Sequence, residues 1–392
     1  IISIFLMNKF LENLVIIEFI VCSGSIRFQC ASPKVSMMVF LVTCFLFFVF
    51  KRGTKKINFI FNFKIISIIT LWVFINTHIL HLDKIDNSYL DYIFYLIGSG
   101  LAVTVFDFEN FRFKLLKYLA YLSFISIIVQ VWHDYFGLGS TFVNIPGNDG
   151  WAMSLYFFNT EWGENRLASI FWEPGQYQIV LIFVMGLFYK EMLDPFTLKP
   201  YLKHLLILTI ALIMTISTSG YIAFGILISG AIVNSAYGRK HIYLLPLLSF
   251  LAFSIFLLLW NSDAVQKKIA QGEVNEENSF NIRMADNLAL LTMVGNKPVF
   301  GYGAGTKSAE DAKNKFGSIS QSNGWLRSAA ENGTPYVLYI LVLIYSSIKR
   351  RVHIVSAALF LLFAFILSQS GEGNTYFPYT YMYVFKYCTQ QT

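Results

Sequence analysis

The recurrence of long apolar runs constrains this chain more than any other feature. Runs of about 16–22 residues fall near 3–22, 35–50, 65–82, 89–106, 115–132, 168–189, 204–218, 220–236, 242–260, 336–348, 352–369 and 375–388. Most are long enough to cross a hydrocarbon core of about 30 Å as a helix. In lipid every backbone N–H and C=O must be satisfied within the segment, so such runs specify helices. The expected fold is therefore an all-α polytopic membrane protein with about 12 transmembrane helices. Composition agrees: 56% of the 392 residues are hydrophobic and only 14% charged, against about 25% charged in soluble domains.

Charge placement sets the expected topology. Lys51, Arg52, Lys55, Lys56 and Lys64 occupy one gap between runs, followed by Arg112, Lys114 and Lys117. Lys190, Lys199 and Lys203, then Arg239 and Lys240, then Lys349, Arg350 and Arg351 occupy three more. These gaps alternate, so all five lie on one side, and the positive-inside rule makes that side cytoplasmic, with both termini. The net charge of +7 reads as topology anchoring, and nucleic acid is excluded as a partner. The opposite short gaps hold Asp83, Lys84 and Asp86, then Ser217 to Gly220, then Ser370 to Asn374. Two gaps on that side are long. The chain thus divides into N-terminal helices (1–132), a first long extracytoplasmic loop (133–167), central helices (168–260), a second long loop with short helices (261–335) and C-terminal helices (336–392). Loops of this length are functional or disordered, and Trp151, Trp162, Trp325 and several glycine turns favour order.

Two minor features bear on this division. The first run contains Lys9, Glu12 and Glu18 and is a weak span, and Met7 is an alternative start. Cys22, Cys30, Cys44 and Cys388 form no CxxC pair. Unpaired thiols are the expectation over a Cys22–Cys30 bridge, and no metal site is expected.

Four segments carry plausible chemistry. Arg166-Leu-Ala-Ser-Ile-Phe-Trp-Glu173-Pro174-Gly175 lies where the first long loop enters a span. Pro174 suits a first helical turn, so a helix starts near Glu173. Its N-terminus and Arg166 offer donors to an anion. The plainer reading makes Glu173 a dipole-satisfying carboxylate and Arg166 an interfacial anchor. Over Asn281 to Val294, apolar residues recur at helical spacing and Arg283, Asp286 and Asn287 form a polar stripe, with Gly295 as the expected stop. Arg283 either pairs with Asp286 or faces an anionic ligand. Asn296-Lys-Pro-Val-Phe-Gly301-Tyr-Gly303-Ala-Gly305-Thr-Lys superficially resembles a phosphate loop but lacks its spacing and its βαβ setting. A turn with unusual backbone angles is the plainer reading. Ser322-Asn323-Gly-Trp-Leu-Arg327-Ser-Ala-Ala-Glu331-Asn-Gly333-Thr-Pro335 reads as a short helix capped by Ser322 or Asn323. Its Arg327 and Glu331 either pair or line a site. The tryptophans either stack on sugar faces or anchor at the interface.

Together these segments resemble the O-antigen polymerase (Wzy-type) and O-antigen ligase family of bacterial envelope proteins. The resemblance rests on R-x(6)-E-P-G at Arg166 to Gly175. It rests also on the order Arg283, Asn296-Lys-Pro-Val-Phe-Gly301-Tyr-Gly303, Asn323-Gly-Trp-Leu and Glu331-Asn-Gly333, and it spans about 160–340 in detail. The E-P-G block looks more like polymerases. Ligase-like members often carry His just before the Asn of the short helix, where this chain has Ser322, so the general base is unassigned. The resemblance implies a C-type glycosyltransferase-like bundle in the bacterial inner membrane, acting on undecaprenyl-pyrophosphate-linked glycans, with no nucleotide sugar, metal or other cofactor. It implies a flippase and a chain-length regulator as partners. The expected roles are catalytic for Arg166, Glu173 and Arg283, and substrate-binding for Arg327, Asn323, Gly301, Gly303 and Glu331. The rivals are the ligase of the same family and a lipid-linked oligosaccharide flippase. A flippase would be expected to show an internal repeat, and none is seen.

Overall fold

A computed structural model describes residues 2–26, 33–51, 56–81, 89–145, 148–160, 166–192, 194–235, 279–317, 323–352, 354–371 and 376–385. The expected run at 242–260 lies outside them. The N-terminal helices are α1 (Ile2–Val21), α2 (Pro33–Lys51), α3 (Lys56–Phe74), α4 (Tyr89–Val105) and α5 (Phe108–Phe136). A π-helical turn, Ile75–Ile79, extends α3. The central helices are α6 (Pro174–Gly186), the short α7 (Pro195–Leu198), α8 (Leu202–Met214) and α9 (Thr218–Asn234). Then come α10 (Ser279–Asn296), α11 (Lys307–Phe316), α12 (Gly324–Asn332), α13 (Thr334–Arg351), α14 (Val355–Ser368) and α15 (Pro378–Phe385).

Pro33–Lys51, Ile60–Ile79 and Phe108–Phe136 are long and apolar enough to cross a membrane; Tyr89–Val105, Leu202–Met214, Thr218–Asn234 and Val355–Ser368 are shorter apolar helices. The described residues are predominantly helical, as expected of an all-α membrane protein, with one small exception. The first long loop folds into a small antiparallel sheet of β1 (Ser140–Ile145), β2 (Asn148–Ser154) and β3 (Phe158–Asn159), in that order. Thr, Phe, Val, Ile and Trp supply the β-formers, but β3 has only two residues and no periodicity to read.

Apolar faces alone give helices in lipid little reason to associate, so close approach of small residues matters. α9 packs along α14, and the buried residues of the two helices include Ala223, Gly230 and Ala231 and Ala357, Ala358 and Ala364. Gly230 shows how tight the approach is: a Cβ there would lie 1.9 Å from the Tyr189 hydroxyl and 2.5 Å from Cβ of Phe360.

The acids that weaken the first span are paired. Glu12 accepts from Lys114 at 3.0 Å and lies 3.6 Å from Lys51, while Glu18 accepts from Thr43 at 3.0 Å. Cys22 is a buried free thiol; Cys30 lies outside the described residues.

Residues of three of the five cationic gaps meet around Glu191, next to Lys190. Arg112, buried at the start of α5, bonds Glu191 at 2.8 Å and the Leu187 carbonyl at 3.1 Å, and is ion-paired with Glu109. Arg351 bonds Glu191 at 2.6 Å. The segment that follows Arg166 docks on the turn after α1: Ser25 bridges Phe171, and Trp172 N–H donates to Gly24 O at 3.2 Å.

Candidate active site

The expected site residues fall into two groups. The first surrounds the α8–α9 turn. Leu167 N–H donates to Met214 O at 2.8 Å, which fixes the chain after Arg166 to the end of α8. Arg166 is in electrostatic reach of the Tyr221 phenol on the first turns of α9. Arg283, exposed on α10, approaches the same turn from the second loop. A Cβ on Gly371 would lie 3.1 Å from Arg283 Nη1 and 3.5 Å from Ser219 Oγ. Ser219 Oγ lies 3.2 Å from Ser217 Oγ. The segments that carry Arg166 and Arg283, about 120 positions apart in the chain, thus both approach the stretch from Met214 to Ser219.

Glu173 sits on the other side of the Arg166 segment. It is the N-cap residue of α6 with Pro174 at the first helical position, and its half-buried side chain makes no capping bond. The segment is held firmly. Asn159 N–H donates to Ser169 O at 2.7 Å, and Asn159 Nδ2 donates to the Phe171 and Trp172 carbonyls, both at 2.9 Å. Past Glu173, Gln176 donates to Ser23 O at 2.7 Å and Gln178 to Ser368 O at 2.7 Å.

The second group centres on Glu331, 2% exposed. It accepts from Lys313 Nζ at 2.8 Å, Arg327 Nε at 3.0 Å and the Tyr92 hydroxyl at 2.8 Å. Burial by itself would raise the Glu331 carboxyl, but Arg327 and Lys313 overcome it and hold the group at about 2. Burial works against the charged Arg327, and the Glu331 carboxylate reverses that and holds its proton more tightly. Of the two readings of Arg327 and Glu331, the ion pair is formed. Tyr376 lies under the guanidinium, 5.7 Å from ring centre to Cζ. Lys313 and Tyr92 were not among the expected site residues. Tyr92 is 239 positions from Glu331, and no spacing rule links them.

Asn323, not Ser322, is shown capping α12: its side chain accepts from Leu326 N–H at 3.1 Å. Ser322 lies outside the described residues. The glycine-rich stretch closes over the C-terminus of α12, whose last carbonyls need donors. Tyr302 N–H donates to Ala330 O at 2.9 Å and Gly303 N–H to Glu331 O at 2.8 Å. Asn76, on the π turn, adds a bond to Glu331 O at 3.0 Å, and Trp72 Nε1 donates to Asn332 O at 2.9 Å. Gly301 takes φ +65, and a Cβ there would lie 2.6 Å from Ala330 O. So the stretch makes a docking turn of unusual backbone angles, the plainer of the two readings, and in doing so it positions Glu331.

Three expectations change. α10 runs through Gly295 to Asn296. An exposed helical glycine costs only about 1 kcal/mol, whereas Pro298 disfavours helix at the residue before it. The polar stripe on α10 is split: Arg283 is exposed, but Asp286 is fully buried. Trp325 is no interfacial anchor, being 8% exposed within the main core. The side chain of Trp151, and all of Trp162, lie outside the described residues.

Gln369, Gly371 and Tyr376 each touch one of the two groups. Gln369 O accepts from Gly324 N–H at 3.3 Å, Gly371 abuts Arg283 and Tyr376 underlies Arg327. Guanidinium groups of this kind suit an oxyanion such as a phosphate, though that of Arg327 is already engaged by Glu331. No curated protein and no solved structure matches this chain. Residues 204–335 match the Wzy_C family model, O-antigen ligase, a stretch that includes α8, α9 and the helices carrying Arg283, Asn323, Arg327 and Glu331, and this match supports the O-antigen ligase and polymerase family for the chain.

Proposed function

We propose that this protein polymerises undecaprenyl-pyrophosphate-linked oligosaccharide repeats into a surface polysaccharide. It would work as a polytopic protein of about twelve spans, a C-type glycosyltransferase-like bundle with both termini cytoplasmic, at the extracytoplasmic face of the bacterial inner membrane. What supports the reading is that both long loops reach the α8–α9 segment: Leu167, next to Arg166, bonds Met214 O at the end of α8, and Arg283 lies by Gly371, which neighbours Ser219 at the start of α9. A hydroxyl of the incoming unit attacks the anomeric carbon of the growing chain. The bond from that carbon to the diphosphate oxygen breaks, and its electron pair leaves with undecaprenyl pyrophosphate. Negative charge grows on that oxygen, and preorganised guanidinium groups lower the barrier most where charge develops. Glu173, at the edge of the same segment, orients or activates the acceptor hydroxyl. Arg327, Asn323 and Glu331 form the second wall, with Gly301 and Gly303 shaping it. A flippase supplies the substrate and a chain-length regulator limits the product.

The description of the matched family, O-antigen ligase, favours one alternative, in which the same donor chemistry passes finished glycan to another acceptor. Surface-glycan gels separate the two. In a deletion strain complemented with Arg166→Ala or Arg283→Ala, the polymerase reading expects inserted protein and single-repeat surface glycans. The ligase reading expects full-length polymer retained on the lipid carrier. Normal surface glycan in both variants would remove both readings.

A further inference from the structure

We infer that His133 is the general base that takes the proton from the acceptor hydroxyl, with Asp134 as its positioning residue. This inference rests on the glycosyl-transfer reading above. His133 lies on the last turn of α5, which Gly137 ends in a left-handed conformation with its N–H on Trp132 O. The Asp134 carboxylate accepts from Gln130 Nε2 through both oxygens, each at 3.0 Å, and faces His133 Nδ1 at 3.0 Å. A carboxylate has no proton to give, so Nδ1 carries the hydrogen and Nε2 presents its lone pair. The two side chains are 25% and 10% exposed: the carboxylate is shielded and the imidazole is open.

The direction of that lone pair is marked by a hydroxyl. Ser140 Oγ, exposed at the start of β1, lies 3.0 Å from Nε2, where an acceptor hydroxyl must sit to lose its proton. Ser140 has a second partner, Thr160 Oγ1 at 2.9 Å, so it can turn away when an acceptor arrives. Among the described residues, a Cβ on Gly137 or Gly139, in the turn between His133 and Ser140, would meet nothing within 4 Å. Thr160 directly follows Asn159, which bonds to Ser169, Phe171 and Trp172. The hairpin that presents Ser140 is thereby fixed to the segment running from Arg166 to Glu173.

In the step, the acceptor O–H proton passes to Nε2. The freed oxygen pair bonds the anomeric carbon, and the pair of the broken carbon–oxygen bond leaves on the lipid diphosphate. The imidazolium charge rests against Asp134 until the proton passes to solvent. Glu173 then orients the sugar rather than taking its proton.

The test uses the full chain in liposomes with an undecaprenyl-diphosphate-linked repeat unit, measuring kcat and acceptor KM separately. His133→Gln is expected to lower kcat by about 100-fold or more with little change in KM. Asp134→Asn lowers kcat less. Ser140→Ala, by removing a competing hydroxyl, lowers acceptor KM by about fivefold, the equivalent of one hydrogen bond. Parental kcat in His133→Gln, or a rise in KM alone, overturns the assignment. Lost turnover in a folded Ser140→Ala would make the serine the reacting group, as in an acyl-transfer triad, and would also overturn it. If His133→Gln fails to fold, Asp134→Asn decides through kcat: a parental value overturns the inference. A wild-type protein with no turnover would overturn the glycosyl-transfer reading itself, whereas active wild type with active His133→Gln overturns the base alone.

Discussion

Replacing Glu331 by Gln keeps the shape of the side chain and removes its charge. The carboxyl is 3% exposed, and its ionic partners Lys313 and Arg327 are 16% and 22% exposed. Two charge-assisted hydrogen bonds at about 1.5–3 kcal/mol each set a ceiling of about 6 kcal/mol. The two cations retain partial access to water, which returns about half of that. The expected loss is therefore about 3 kcal/mol, within the range for breaking a buried ion pair by removing one partner. Equilibrium unfolding of the purified protein measures it, and a loss below about 1 kcal/mol would refute the reasoning. The pH dependence is a second check. Glu331 falls from its ordinary 4.5 to about 2, so its ionised form stabilises the fold. That contribution is complete above about pH 4.5 and fades as pH drops toward 2. The stability gap between parent and Glu331→Gln should close over that window. A gap that closed on the alkaline side would show that another group is responsible.

Two further substitutions separate packing from chemistry. Gly333 takes φ +87, and a Cβ there would lie 1.9 Å from Val299 O. Gly333→Ala adds left-handed strain of about 1–2 kcal/mol to a clash with backbone that cannot swing aside. A total loss of at least about 3 kcal/mol is expected, read as a sharp fall in folded protein recovered from membranes. Asn323→Ala removes the α12 cap and should cost about 1 kcal/mol, measured from the denaturant midpoint. A loss of turnover larger than that destabilisation explains would make Asn323 a substrate contact as well as a cap.

Sequence periodicity was sufficient where a structural rule is local. Long apolar runs specify helices because lipid leaves the backbone no other partner. Pro174 after Glu173 marks a helix start, and α6 begins there. Asn323 before Gly324 marks another. The glycines at 301 and 333 announce turns that side chains resist, and both take positive φ. Local rules failed where local signals compete: Gly295 looked like a stop, but the helix ends only before Pro298.

What the sequence by itself determined is therefore the helical character and approximate place of most long elements, since those follow from backbone satisfaction and side-chain period within a few turns; the small sheet of the first long loop had no such signal. Only the tertiary structure decided which charges meet. It brings Tyr92 and Lys313 to Glu331, Leu167 to the end of α8, and the hydroxyl of Ser140 to the open nitrogen of His133. The reason is physical. A buried charge is satisfied by whatever partner the packing delivers to within about 3 Å, and that distance is set by how whole helices and loops dock, not by their spacing along the chain.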